Sequence, residues 1–475
     1  MNQTKSLGIW LLTALVVGNM VGSGIFMLPR TLAEVASPAG VLLAWGLTGA
    51  GVLATALVFG NLIIRKPNLT GGPQIYAKEL FKTGSHASIF SGFISSWGYW
   101  IGNFSGNVAI VTTFASYLST FFPILTSQRN LFTVGNFSLK VGNTLIFIVC
   151  TLLLWGTHYI ILQGIGSAGK LNFIATAAKV IGFLLFIIIG LFAFERSNIG
   201  PFVAPRFNEA GQPIGFLSQV NNAAVSTLWA FIGVESAMVF ASRAKREIDV
   251  KKATILGLLL ALAIYLAISL LVMGMLSQEQ LISSEKPLID AFEAVLGPIG
   301  AKLLAGLGLI SLLGSTIGWI MLSAEVPYQA AKQGLFLPAF LKENKNGIPT
   351  FSLLLSNILG QIFIFSTIFS TISAAFDFVI YIATLAYLIP YFISSIFQIK
   401  LVITGETYDL NNSGRKTDGV IAFISTIYSI CVIIAGTADI ITFTLGMGLL
   451  LTGVFFYPGV VKYARNNLTA KKDVD

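Results

Sequence analysis

Twelve long apolar runs, each bounded by charged or Pro/Gly-rich breaks, leave this chain few ways to fold. They fall at 7–36, 39–63, 88–121, 142–161, 172–194, 216–242, 252–276, 299–331, 351–371, 375–398, 419–437 and 440–461. About 20 apolar residues suffice for a helix to cross a bilayer. The breaks are short, so successive helices should run antiparallel, and none could house a separate soluble domain. Only 10% of the 475 residues are charged and 55% are hydrophobic, against about 25% charged in soluble domains. That excludes a water-soluble enzyme. The expected fold is an all-α integral membrane protein with twelve transmembrane helices, its least certain boundaries at 371–375 and 437–440. Arg30 and Glu34 end the first run, which reads as a first span rather than a cleaved leader. Cys150 and Cys431 lie inside apolar runs and read as small buried hydrophobes. No cluster of metal-ligand spacing and no phosphate-binding loop accompanies them, so no cofactor is expected.

The basic residues orient the bundle. With both termini in the cytoplasm, the outside holds Arg30, Arg129, Lys140, Arg196, Arg206, Lys286 and Lys302, and the other 22 of 29 Lys and Arg, from Lys5 through Lys179 and Arg243 to Lys472, fall inside. This bias supports an even number of spans and accounts for the net charge of +9 by topology, with no need for a nucleic-acid partner.

Two runs are interrupted. The first reads Gly18-Asn19-Met20-Val21-Gly22-Ser23-Gly24-Ile25 and then Pro29. In lipid a helix must satisfy its own backbone, so glycines at mid-span mark either an unwound segment or close helix packing. If unwound, the following half-helix offers free N–H groups to an anion such as a carboxylate, and positive φ would explain the glycines. The sixth run, Ser226 to Ser236, combines Gly233 with a carboxylate, Glu235. Interruptions five spans apart are what an inverted five-plus-five repeat requires. Its halves would be 7–194 and 216–398, with 419–461 forming two further helices, although no residue-level similarity links the halves.

Four motifs in order carry a resemblance. Gly22-Ser23-Gly24-Ile25-Phe26-Met27-Leu28-Pro29 resembles the first-helix GSGxFxLP motif of the amino acid–polyamine–organocation superfamily. Leu228-Trp229-Ala230-Phe231-Ile232-Gly233-Val234-Glu235-Ser236 is similar to its sixth-helix motif. Gly71-Gly72-Pro73-Gln74-Ile75-Tyr76-Ala77 resembles the entry to its third helix, and Gly334-Leu335-Phe336-Leu337-Pro338 with Gly347-Ile348-Pro349 the loop after its eighth. The agreement is closest with the basic amino acid/polyamine antiporters, including the arginine/agmatine and arginine/ornithine exchangers. The resemblance implies a substrate site at Gly22, Ser23, Gly24 and Ile25 in the first span, Tyr99 and Asn107 in the third, Trp229, Ala230 and Ile232 in the sixth, and Trp319 in the eighth. Glu235, Tyr76 and Glu325 would serve gating or coupling.

Each candidate has a plainer reading. Tyr99, Asn103 and Asn107, at i, i+4 and i+8, form a polar stripe that faces a cavity or another helix; Asn103 fits an interhelical seam equally well. Trp229 and Trp319 have the plain reading of interfacial anchors, which their depth within the spans weakens, and they suit cation–π contact, worth roughly 0.5–2 kcal/mol. For Glu235 and Glu325, burial favours the neutral carboxyl and a nearby cation the charged one, so either could sense protons or pair with a cation, or simply cap a broken helix. Tyr76 could be an interfacial anchor. His86 and His158 read as bland boundary residues, and Asp377 and Asp439 as flanking the outer ends of spans.

The leading expectation is a cell-membrane antiporter exchanging a cationic amino acid for a related amino acid or amine. Proton-coupled uptake without obligatory exchange is the alternative within transport. A membrane-embedded enzyme would need paired catalytic acids, a Ser/Lys pair or a His–Glu zinc motif, and none is present; a receptor would need a large binding or signalling domain. The expected partners are a small amino acid or amine, the bilayer, with protons and a homodimer left open.

Overall fold

The computed structural model describes residues 7–69, 72–134, 137–164, 168–207, 211–239, 241, 244–408, 414–437 and 440–472. Lys5, Gly71, Arg243 and Asp439 lie outside the described residues, as do the side chains of Lys170, Lys471 and Lys472.

The first apolar run is two helices, α1 (Ile9–Met20) and α2 (Ser23–Val35), bent by 44° at Val21-Gly22. Pro38 opens α3 (Pro38–Arg65), its missing N–H harmless at a first helical turn. A short α4 (Tyr76–Glu79) precedes α5 (His86–Leu118), whose N-cap Ser85 accepts from the Ser88 amide at 3.1 Å. A small hairpin, β1 (Asn130–Val134) with β2 (Phe137–Lys140), leads into α6 (Val141–Leu162) and α7 (Ala168–Phe192). A second hairpin, β3 (Arg206–Phe207) with β4 (Pro213–Ile214), precedes the sixth run. That run is also divided, into α8 (Phe216–Phe231) and α9 (Ser236–Val239), by four residues out of helical register.

Beyond it come α10 (Glu247–Met275), α11 (Gln278–Ser283) and α12 (Pro287–Lys332). The last starts earlier than the run at 299–331 suggests and kinks at Gly297, where φ is +66°. The doubtful boundary at 371–375 is real: α13 (Thr350–Ile364) and α14 (Ser366–Phe369) end before Thr371 caps α15 (Ile372–Thr404). So is the one at 437–440, between α16 (Arg415–Gly436) and α17 (Ile440–Leu451), which bends into α18 (Tyr457–Lys472).

Among the described residues nine helices are long and apolar enough to cross a membrane, and eleven if each of two bent pairs is one span. The run at 88–121 is outside this set although α5 has 33 residues. Asn103, Asn107 and its serines lower its hydropathy, and they do so on a helix that is buried in protein, packed against α15 and α12. By contrast α6, α7 and α16 turn large apolar side chains outward, such as Leu152, Leu191 and Ile434, as lipid-facing helices must.

Two expectations are corrected. Lys179 does not belong with cytoplasmic charges: it is buried on α7, donating to the Gly18 carbonyl at 2.7 Å, with Ser315 Oγ at 3.4 Å. Cys150 is buried, but Cys431 is exposed on the face of α16.

Candidate functional site at the two helix breaks

The breaks face each other. A Cβ placed on Gly233 would stand 3.1 Å from the backbone of Asn19 and Met20, so glycine lets the second break come up against the last turn of α1. Gly233 also has φ +108°, a region closed to most side chains. Asn19 Nδ2 donates to Ser236 Oγ at 2.8 Å, joining the ends of α1 and α9. Helix termini leave carbonyls and amides without intrahelical partners, and here other helices supply some of them. The Tyr265 hydroxyl of α10 lies 2.8 Å from the Met20 carbonyl and 2.6 Å from that of Ala230, so its single O–H can donate at either break.

On the α2 side, helix geometry leaves the N–H groups of Ser23, Gly24 and Ile25 without acceptors in their own helix. The Gly22 amide instead donates to the Met20 carbonyl at 2.8 Å. Neither Gly22 nor Gly24 has positive φ, so the reason expected for these glycines fails. Gly24 is needed for space: a Cβ there would meet Trp229 Cδ1 at 3.3 Å and Nε1 at 3.4 Å. The Trp229 indole N–H at this spot is buried and has no hydrogen-bond partner among the described residues. A first helical turn and an unused indole donor thus converge on one point, and all of Ser23, Gly24 and Ile25 are buried.

The other end of the Trp229 ring reaches α5. A Cβ on Gly106 would be 2.9 Å from Trp229 Cη2 and 3.5 Å from Trp319 Cζ3. The two indoles lie 6.1 Å apart at 41°. Asn107 donates to Ser323 Oγ at 3.2 Å while its Oδ1 is buried without a partner among the described residues. Asn103 bonds back to the Tyr99 carbonyl at 2.6 Å within its own helix, so it forms no seam through that group.

Glu235 closes the second break. Its buried carboxylate accepts from Tyr99 Oη at 3.0 Å, from Tyr391 Oη at 2.5 Å and from the Gly233 N–H at 3.1 Å. Three neutral donors thus hold the carboxylate across α5, α15 and the break itself. The site residues expected in α2, α5, α8 and α12 are therefore brought together, with Ala230 and Ile232 at the end of α8, where the Ile232 amide reaches back to the Trp229 carbonyl at 3.1 Å. Glu325 and Tyr76 stand apart from this cluster. Glu325 takes a hydrogen bond from Gln329 one turn along α12. Tyr76 is buried and stacks on Phe397, 5.8 Å away, which is not how an interfacial anchor sits. His158 meets Asn357 at 3.1 Å, and exposed His86 meets Arg465. Asp377 does more than flank a span: it binds Arg30 at 2.8 Å and Thr31 at 2.7 Å, tying α15 to α2.

Sequence reasoning missed Tyr265, Lys179 and Tyr391. Tyr391 stands beside Pro390 in mid-span, a weak signal of a functional helix segment; the other two are single polar residues in apolar runs.

Apolar helices around two abutting breaks, with unused donors and indoles between them, are the architecture of a multi-pass membrane protein. The chain belongs to the amino acid permease family, whose model matches residues 7–460. It is 52% identical over 460 residues, 97% of this chain and 98% of the relative, to a putative arginine/ornithine antiporter of Bacillus subtilis (strain 168). It is 36% identical over 470 residues (97% and 91%) to an arginine/ornithine antiporter of Pseudomonas aeruginosa. A third, an arginine/ornithine antiporter of Latilactobacillus sakei, is 33% identical over 464 residues (97% and 90%).

Proposed function

We propose that this chain is a cell-membrane antiporter that exchanges arginine or ornithine for a related amino acid or amine by alternating access. The observation that carries the reading is the pairing of the bare first turn of α2 with the unpartnered Trp229 indole N–H beside Gly24. That is a carboxylate-shaped set of donors, and the names of the relatives supply the substrate pair. The α-carboxylate sits on the amides of Ser23, Gly24 and Ile25. Trp229 and Trp319 face the cationic side chain, Asn107 contributes polar contact, and Glu235 couples occupancy to the second break. The indole faces attract the cation without themselves forming a fixed ion pair, which eases its release.

In this reading α5 is also a span, which makes twelve. The segments 7–194 and 216–398 are the inverted halves, each opening on a broken helix, and the termini are cytoplasmic. The test is uptake of labelled arginine into liposomes preloaded with arginine, ornithine, lysine, agmatine, serine or nothing. Uptake should require an internal basic amino acid or amine, with arginine or ornithine effective and serine or empty liposomes not. Equal uptake into empty liposomes would replace exchange with uniport or proton-coupled entry.

A further inference from the structure

We infer that Tyr387 binds the cationic end of the substrate side chain and sets the preference for basic amino acids; the inference rests on the site proposed above. Tyr387 lies on α15, fully buried, and its hydroxyl has no hydrogen-bond partner among the described residues. A buried hydroxyl carries one donor and two lone pairs and is costly to leave unpaired. Its ring is fixed from three sides. Trp319 packs against it at 6.4 Å, Tyr99 meets it edge-on at 5.1 Å, and Gly102 of α5 lies so close that a Cβ there would be 2.5 Å from Tyr387 Cδ2. The hydroxyl is therefore held in place without being used.

Its position gives the ligand chemistry. Gly24, Trp229, Trp319 and Tyr387 are successive neighbours. A substrate whose carboxylate sits at Gly24 runs its side chain along the two indoles and ends at Tyr387. What arrives there is a guanidinium or ammonium, which has donors and no acceptor, and the Tyr387 oxygen has free lone pairs. Tyr391, one turn along α15 and 6.2 Å from the Tyr387 ring, holds Glu235, so the cation also arrives beside the carboxylate cluster of the second break.

The test is calorimetric binding to the full purified chain in detergent, with arginine and ornithine against norleucine, whose side chain is apolar. Tyr387→Phe keeps the ring and removes the oxygen. Affinity for arginine and ornithine should fall about tenfold, norleucine affinity and thermal midpoint should not move, and the preference for basic side chains should narrow by the same factor. Gly102→Ala, which pushes the ring from the opposite side, should reproduce the selective loss. Unchanged arginine affinity in Tyr387→Phe overturns the inference, and so does an equal loss for norleucine, which marks a packing role. A wild-type chain that binds neither arginine nor ornithine overturns the functional reading itself.

Discussion

The two helix breaks differ in what they leave unsatisfied. At the second, every polar group of Glu235 that the break introduces is answered: Tyr99, Tyr391 and the Gly233 amide take the carboxylate, and Ser236 donates to the Gly233 carbonyl. At the first, α2 begins with amides that its own helix cannot use, beside an indole N–H with no partner among the described residues. One break is closed by the protein, and the other keeps donors without partners among the described residues. Unwound backbone is tolerated at membrane depth only where protein or a cavity satisfies it, and this chain uses both solutions within contact distance of each other. In the proposed function the labour divides: the incomplete break binds, and the complete one responds to whatever disturbs Glu235 or its donors.

Filling the incomplete break should have the largest effect. In Gly24→Val the Cβ meets Trp229 at 3.3 Å and Leu28 Cδ1 at 3.4 Å, and the extra methyls crowd the first-turn amides of α2. Calorimetry should show arginine binding weakened more than a hundredfold, about 2.7 kcal/mol, in a protein that still folds. Retained affinity would remove the carboxylate from this site.

Straining the complete break should mainly affect stability. Gly233→Ala forces an L side chain to φ +108° and places Cβ 3.1 Å from the α1 backbone. Such strain costs on the order of 1–3 kcal/mol. A lower thermal midpoint should accompany slower exchange, because the two breaks can no longer touch. A midpoint equal to wild type would mean that the contact between them is not needed.

Removing the charge at the complete break separates binding from movement. Glu235→Gln keeps the shape and accepts hydrogen bonds at one oxygen, but fixes the charge at zero. Binding should stay within about tenfold, roughly 1.4 kcal/mol, while exchange in liposomes slows further and loses its pH dependence, since a group whose charge differs between states biases their equilibrium. Wild-type exchange with an unchanged pH profile would leave Glu235 as a structural cap.

How much of this was legible in the sequence depends on whether a signal is local. The apolar runs, the two breaks and Glu235 announce themselves within a few residues, because clustered glycines or a carboxylate at mid-span stand out against an apolar run. The apolar run at 88–121 forms one long helix, α5, and its polar stripe marks the helix packed against α12 and α15. Tyr265 and Lys179 could not be assigned, because their roles depend on which helix packs over the breaks, and one polar residue in an apolar run carries no address. Lys179 was misplaced for that reason: a charge-counting argument sends lysine to the nearest loop, while the folded chain gives it the carbonyl of Gly18. The glycines show a subtler error. Positive φ was expected in the first break and occurs in the second, at Gly233; Gly24 is small because Trp229 lies on it, a long-range fact.

The smallest effect should come from the indole that bridges the incomplete break to α15. Trp319 lies 6.1 Å from Trp229 and 6.4 Å from Tyr387, which in the proposed site puts it beside the substrate side chain and away from the carboxylate end. Trp319→Leu keeps an apolar residue but removes the ring whose face attracts a cation. Arginine and ornithine should lose about 0.5–2 kcal/mol of affinity, and a neutral amino acid of similar length should lose less. The carboxylate interaction is untouched, so all substrates should still bind at the α2 amides. Calorimetry with arginine and norleucine on the same protein separates the two contributions. If both ligands weaken equally, Trp319 acts by filling space, and cation recognition rests on Trp229 and α15 instead.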